Sequence, residues 1–253
     1  MDFNERVIPG VSANFLYQEA RARYEFAVRF VRPGMKVLDV GCGTGYGTSL
    51  LSENAEAIGI DISHEAIEFA KKHYGTKAKF LIGSAESFPF DENTFDIVCA
   101  FEMVEHLKKA KRFLKEVNRV LKGDGKFILS TPNRKYRLRV KSPYHFKEYD
   151  YQELQKILSN FFERVEIRGQ SKSGRAMSAL EDFMKSQAAR QSLVDKDFLG
   201  LRKLFPKAFK EKIWRYAGGL FGRASQERLR TEDFPIKSEK VKLSEYIIAV
   251  CQK

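Results

Sequence analysis

The run Val37-Leu38-Asp39-Val40-Gly41-Cys42-Gly43-Thr44-Gly45 constrains the fold of this chain more than any other stretch. Val37, Leu38 and Val40 read as a buried strand. The three glycines at alternate positions then strip the turn of side chains, which opens positive φ and close approach by a ligand. A helix is expected to begin near Thr44-Gly45, turning its first N–H groups toward the same spot. Spacing disfavours two phosphate readers: G-x-G-x-x-G would need a glycine where Tyr46 or Thr48 stands, and no Gly-Lys-Ser/Thr follows. Further on, Ala57-Ile58-Gly59-Ile60-Asp61 reads as a second strand ending in a carboxylate, the position from which a parallel α/β sheet bonds ribose hydroxyls.

Together these two motifs resemble the class I S-adenosylmethionine-dependent methyltransferases. The resemblance implies that the glycine loop holds the amino-acid end of S-adenosyl-L-methionine and that Asp61 holds its ribose. Carried over residue by residue, it assigns Asp39, Gly41, Gly43, Gly45, Asp61, Ile62, Ser84, Ala85 and Glu102 to the cofactor. Gly83-Ser84-Ala85-Glu86-Ser87-Phe88-Pro89-Phe90 is similar to the segment that lines the adenine, with Ser84 where many relatives carry Asp. After a strand over 95–101, Glu102-Met103-Val104-Glu105-His106-Leu107 resembles the Glu-His-Leu signature of the O-methylating branch. The flanks Glu5–Gly10, with the helix carrying Tyr17, Arg21 and Tyr24, and Ser142–Tyr149 resemble methyltransferases associated with glycan assembly; Tyr144, Tyr17 and Arg21 are their substrate candidates.

Transfer to a hydroxyl needs a base for the departing proton. His106 stands just past the end of a parallel strand, where such sheets bind ligands, and an ordinary imidazole pKa near 6.5 suits the task. His145 is the rival base, with Tyr144 placed to orient the acceptor, and Glu105 could orient His106. One Glu-His pair is a weak metal signal, so no required metal is expected. His64 and His73, on the helix after the second strand, read as surface residues.

Alternation of strand and helix predicts a doubly wound, seven-stranded, mostly parallel sheet. Strands are expected near 36–41, 56–61, 78–82, 95–101, 125–131, 161–167 and 246–251, and helices over 12–31, 45–53, 63–73, 109–121 and after a cap at Asp150. Leu16, Ala20, Tyr24 and Ala27 mark the buried stripe of the first helix. The resemblance implies that the last two strands pair antiparallel at the sheet edge. The chain then divides into an N-terminal helical segment (1–34), a cofactor-binding core (35–168), a basic helical insertion or lid (169–242) and a final strand (243–253), all in one domain.

Charge is uneven along the chain. Residues 1–130 carry 18 basic and 18 acidic side chains, residues 131–253 carry 27 and 15, so the whole net charge of +12 lies in the second half. Within it, Phe205, Phe209, Ile213, Tyr216 and Leu220 form one stripe of a basic amphipathic helix. Residues 201–222 are therefore expected to lie as a lid on the domain or to contact an anionic membrane or lipid-linked substrate. Cys42, Cys99 and Cys251 are too scattered for a disulfide framework. No secretory leader or spanning run is visible, so a cytoplasmic protein, peripheral to membrane at most, is expected.

The leading expectation is an O-methyltransferase of a sugar, glycan or lipid-linked intermediate. The alternatives are an O-methyltransferase of a quinone-type or other small aromatic molecule, a nucleic-acid methyltransferase motivated by the basic half, and a cofactor-binding adaptor without turnover. Nucleic acid is disfavoured: neither an Asn/Asp-Pro-Pro-Tyr/Phe motif nor a recognisable RNA module is present.

Overall fold

The computed structural model describes residues 7–10, 12–136, 142–195 and 229–253, with the backbone alone for 186–195. Helix α1 (Asn14–Val28) leads into β1 (Lys36–Val40), α2 (Tyr46–Leu51), β2 (Glu56–Asp61), α3 (His64–Tyr74) and β3 (Lys79–Ile82). There follow β4 (Phe95–Phe101), a 3-10 turn (Val104–His106), α4 (Ala110–Val120), β5 (Leu121–Pro132), α5 (Tyr151–Leu158), β6 (Arg164–Gln170) and α6 (Gly174–Asp195). A two-residue strand β7 (Ile236–Lys237) and β8 (Tyr246–Gln252) complete the described elements.

One sheet of eight strands runs in the order β3-β2-β1-β4-β5-β8-β6-β7. The first five strands are mutually parallel, and β8 lies antiparallel between β5 and β6. Neighbouring residues on a strand go to opposite faces, and the core follows that period. Leu38, Val98 and Phe127 join Phe113, Leu114 and Val117 of α4 and Leu154 of α5 on one side. Val37, Ile97 and Ile128 join Tyr24 and Ala27 of α1, Leu51 of α2 and Ile67 of α3 on the other. Hydrophobicity on both faces is what a parallel sheet wrapped by helices requires.

Two caps fix helix starts. Ser63 accepts from the N–H of Ala66 ahead of α3. Asp150 forms a capping box with Glu153 ahead of α5, satisfying two N–H groups that the first turn leaves open.

Four expectations need correction. The sheet has eight strands rather than seven, because Ile236–Lys237 adds an antiparallel edge to β6; the segment 169–242 is thus not wholly helical. Strand β6 starts at Arg164 rather than Phe161, since Phe161 and Phe162 close the turn after α5 through hydrogen bonds to Leu158. The buried stripe of α1 is shifted: Leu16 is 40% exposed, whereas Phe15 is 4% exposed and packs edge-on against Phe183 of α6. Finally, β5 begins four residues early, the Gly123-Asp124-Gly125 turn being part of it. The amphipathic stripe Phe205–Leu220, with the rest of 201–222, lies outside the described residues.

Candidate active site

Strand order reverses between β1 and β4, the place where an open parallel sheet leaves a crevice beyond its strand ends. A cavity of about 620 Å³ occupies this place. Val40, Gly41, Cys42, Gly43 and Thr44 line it after β1, Asp61 and Ile62 after β2, and Gly83, Ser84, Ala85 and Glu86 after β3. Glu102, Met103, His106 and Leu107 line it after β4, and Ala20, Arg23 and Tyr24 of α1 close one side.

The glycine loop is held by main-chain bonds. The N–H groups of Gly41 and Cys42 both donate to the carbonyl of Ile60. The N–H of Gly43 donates to Asp61 Oδ2 at 3.0 Å, and that of Ser63 to Asp61 Oδ1 at 2.8 Å. Asp61 therefore braces the loop as well as facing the cavity, and a carboxylate with about four lone-pair sites keeps capacity for ligand hydroxyls. Gly41, Gly43 and Gly45 all have positive φ. Gly45 turns away from the cavity: a Cβ there would lie 2.6 Å from Ala70 and 2.8 Å from Phe80.

Asp39 also lies outside the cavity lining. It is buried beneath the loop, accepting from Thr48 Oγ1 at 2.6 Å and, more weakly, from Tyr24 Oη at 3.3 Å. Burial pushes its pKa up to about 7 against the pull of these two hydroxyls. Its part is to tie α1 and α2 to β1.

Arg23 was not among the sequence candidates, yet it is the cation in the cavity wall. Its Nε donates to Gln170 at 2.8 Å and its guanidinium stacks on Tyr246 at 4.2 Å. Burial works against its charge, but Glu102, Tyr246 and Glu19 outweigh it and raise its pKa. The signal was present: Arg23 falls on the apolar face of α1, three residues after Ala20 and four before Ala27, both buried. Arg21 instead pairs with Glu25 at 2.9 Å, half-exposed and outside the lining. Tyr17 stacks edge-on against Tyr46, which lines the cavity.

At the far end, Glu102 sits at φ +51, a strained setting for a non-glycine residue. Its N–H donates to Ser130, and Ser130 Oγ donates to its Oε1 at 2.6 Å. The turn that follows carries Glu105 and His106. Glu105 is fully buried and accepts from Thr131 Oγ1 at 2.9 Å, while its carbonyl receives the N–H groups of Phe146 and Lys147. Those two bonds draw the 142–149 segment over the turn, so that His145 meets His106 edge-on with ring centroids 4.8 Å apart. His106 and Tyr144 line the cavity; His145 stands behind them, its Nδ1 2.7 Å from Glu148 Oε1. One donor atom from each of Glu105, His106 and His145 falls within 4.8 Å of the others. His64 and His73 are exposed.

Residues 38–129 match a family model described as a methyltransferase domain. This segment therefore resembles a methyltransferase domain. A probable S-adenosylmethionine-dependent methyltransferase of Mycolicibacterium smegmatis is 31% identical over 160 residues, covering 61% of this chain and 62% of the relative. The chain thus spans about three-fifths of the length of such curated relatives. Among solved structures, the YcgJ protein of Bacillus subtilis aligns with a TM-score of 0.57 at 21% identity, over 92% of this chain and 98% of its own. An S-adenosylmethionine-dependent methyltransferase of Thermotoga maritima, described as a possible histamine N-methyltransferase, aligns with a TM-score of 0.61 at 16% identity, over 94% and 91%. These structures share the fold. The Mycolicibacterium relative is named as dependent on S-adenosylmethionine, and the cavity of this chain offers groups whose chemistry would match such a ligand. Asp61 suits hydroxyls, Arg23 suits a carboxylate, and Ile62, 78% exposed, presents an aliphatic face to a flat base.

Proposed function

We propose that this chain is an S-adenosylmethionine-dependent methyltransferase acting on a hydroxyl of a sugar, glycan or lipid-linked intermediate. The observation that carries the reading is a single cavity with the glycine loop and Asp61 at one end and His106 and Tyr144 at the other. Its volume falls within the usual range for small-molecule sites, roughly 300–1,000 Å³.

When bound, S-adenosyl-L-methionine supplies an electrophilic methyl group. The chain's own task is then placement, which can lower a barrier by several kcal/mol, up to about 7–11 in the best intramolecular cases. Asp61 and the glycine loop hold one reactant, with Arg23 at its carboxylate. His106 marks where the acceptor oxygen sits and where its proton must leave. Tyr144, 54% exposed, offers a ring face beside that point, suited to the C–H face of a sugar. Among the described residues, no helix is long and apolar enough to cross a membrane; any membrane contact is proposed to run through the basic stretch 201–222.

The test is calorimetric titration with S-adenosylmethionine and S-adenosylhomocysteine. Micromolar binding is expected for the wild type, weakened at least thirtyfold in Asp61→Ala, and retained with loss of methyl transfer in His106→Ala. Labelled-methyl transfer to nucleotide sugars, lipid-linked glycans and quinones then assigns the acceptor. Absence of binding to either ligand overturns the reading, and transfer to quinones alone moves it to the aromatic alternative.

A further inference from the structure

We infer that Gln170 and Lys172, at the root of the 169–242 insertion, are positioning residues: they aim the Arg23 guanidinium at the cavity and keep it available for a carboxylate of the bound ligand. The inference rests on the methyltransferase reading for the identity of that ligand.

Geometry is the first ground. Arg23 reaches the cavity wall from α1, but what holds it comes from the antiparallel end of the sheet. Gln170 of β6 and Tyr246 of β8 are paired in register, so their side chains stand on one face. Together they cradle the guanidinium. Arg23 Nε donates to Gln170 Oε1 at 2.8 Å, and its Cζ lies 4.2 Å from the centroid of the Tyr246 ring. Gln170 is fully buried and is fixed in turn, its Nε2 donating to the carbonyl of Glu19 at 2.8 Å. A flipped amide would set donor against donor and acceptor against acceptor, so one orientation serves both partners. With Nε held and the plane stacked, the remaining N–H donors on the two Nη atoms have their direction set.

Charge is the second ground. Glu19 stands one helical turn before Arg23 and is equally buried, which makes it the nearest group on α1 able to neutralise the guanidinium. Yet Glu19 Oε2 stays 4.0 Å from Arg23 Nη2, beyond hydrogen-bond distance. Its other oxygen meets Lys172 Nζ at 2.8 Å, an ammonium on a side chain 4% exposed that also pairs with Glu245. Lys172 thus draws Glu19 away from Arg23. Glu102 acts on Arg23 through space while Ser130 donates to its Oε1. Among the described residues the guanidinium therefore makes one hydrogen bond, through Nε. A buried cation is costly without a hydrogen-bonded partner, and a ligand carboxylate in the cavity supplies one.

The root of the insertion thereby belongs to the cofactor end. Strand β6 ends at Gln170, and just beyond it Ser173 and Arg175 both donate to Asp233, so the outgoing and returning limbs share one support. Changes at this root are expected to alter recognition of the ligand's anionic end and to leave its ribose and base ends alone.

The experiment is calorimetric titration of the full chain with S-adenosylhomocysteine and with its decarboxylated analogue, which keeps the amine, thioether, ribose and adenine. The ratio of the two affinities reads the carboxylate contact, and the affinity for the analogue reads the integrity of the rest of the site. Arg23→Met sets the scale, with an expected loss of at least tenfold in the ratio. Gln170→Met and Lys172→Met are each expected to lower the ratio at least threefold with analogue affinity unchanged. Adding Glu19→Gln to Lys172→Met is expected to restore it, a rescue that a merely structural role would not give. Should Gln170→Met lose analogue binding through misfolding, the Lys172→Met and Glu19→Gln pair decides. A ratio unmoved by Gln170→Met and Lys172→Met, or one that Glu19→Gln fails to restore, overturns the positioning role while leaving the methyltransferase reading untouched. A wild type that binds neither compound overturns both.

Discussion

The two ends of the cavity are built by different means. At the cofactor end, the loop after β1 is pinned by main-chain bonds to Ile60 and by the Asp61 carboxylate, all within a span of about twenty residues. At the acceptor end, Glu105, His106, Tyr144 and His145 come from two loops well apart in sequence, joined by two hydrogen bonds from the second loop to the carbonyl of Glu105 and one from His106 Nδ1 to the carbonyl of Tyr144. The first is a local backbone object that tolerates almost no added atom. The second is a meeting of side chains from two loops, where change of residue alters chemistry more than stability.

Adding one methyl group at Gly45 tests that contrast most sharply. Gly45→Ala would force an L side chain onto φ +83 and push its Cβ to within 2.6 Å of Ala70. Left-handed strain of about 1–2 kcal/mol and overpacking of about 1–3 kcal/mol add to an expected loss of roughly 2–5 kcal/mol in urea unfolding. S-adenosylhomocysteine affinity should fall with it. Tyr144→Ala, at an exposed position of the acceptor end, should move stability by less than about 0.5 kcal/mol. Comparable losses in the two variants would dissolve the distinction.

Beneath the cofactor end, Asp39 makes a pH-dependent prediction. With its folded pKa at about 7 and its unfolded value near 3.8, the folded state holds a proton that the unfolded state has released between those limits. Stability therefore falls as pH rises from about 4 to 7 and levels off above, by up to about 4 kcal/mol at 1.36 kcal/mol per unit. Asp39→Asn removes this dependence, so the variant should gain on the wild type across that window in chemical denaturation. A difference that stays constant from pH 4 to 8 would show that Thr48 and Tyr24 keep the carboxylate charged, and the cofactor end would then rest on hydrogen bonds rather than tolerate a buried acid.

The same contrast explains which parts could be read from the sequence. Glycine spacing and alternating strands report backbone conformation directly, so the loop, β2 and β4 fall where expected, with 56–61 and 95–101 matching residue for residue. Asp61 was legible because a strand end fixes its place. Asp39 and Gly45, expected at the cofactor, face the packing beneath and behind the loop, since their direction depends on Thr48, Tyr24, Ala70 and Phe80. Arg23 showed in the sequence only as a charge on the apolar face of α1; its acceptor Gln170 comes from β6, and no local pattern pairs residues 147 positions apart. His145 was visible as a candidate base, but its approach to His106 is a tertiary event.

The smallest effect comes from the support of the acceptor segment. Asp150 caps α5 directly after it, and the cap also meets Arg134 and Lys135, each at 3.2 Å. Burial works to raise its pKa, but the backbone N–H of Glu153 and the two cations hold it down at about 2. A depressed carboxylate stabilises the fold above its unfolded value near 3.8 and loses that contribution as pH drops through about 2. Asp150→Ala should cost about 1 kcal/mol at pH 7, the usual worth of a cap, and nearly nothing at pH 2. If the acceptor end is as separable as its construction implies, S-adenosylhomocysteine affinity will be unchanged in this variant while KM for the acceptor rises. A matching loss of cofactor affinity would mean that α5 and the glycine loop are coupled through β5, and that the two ends behave as one unit.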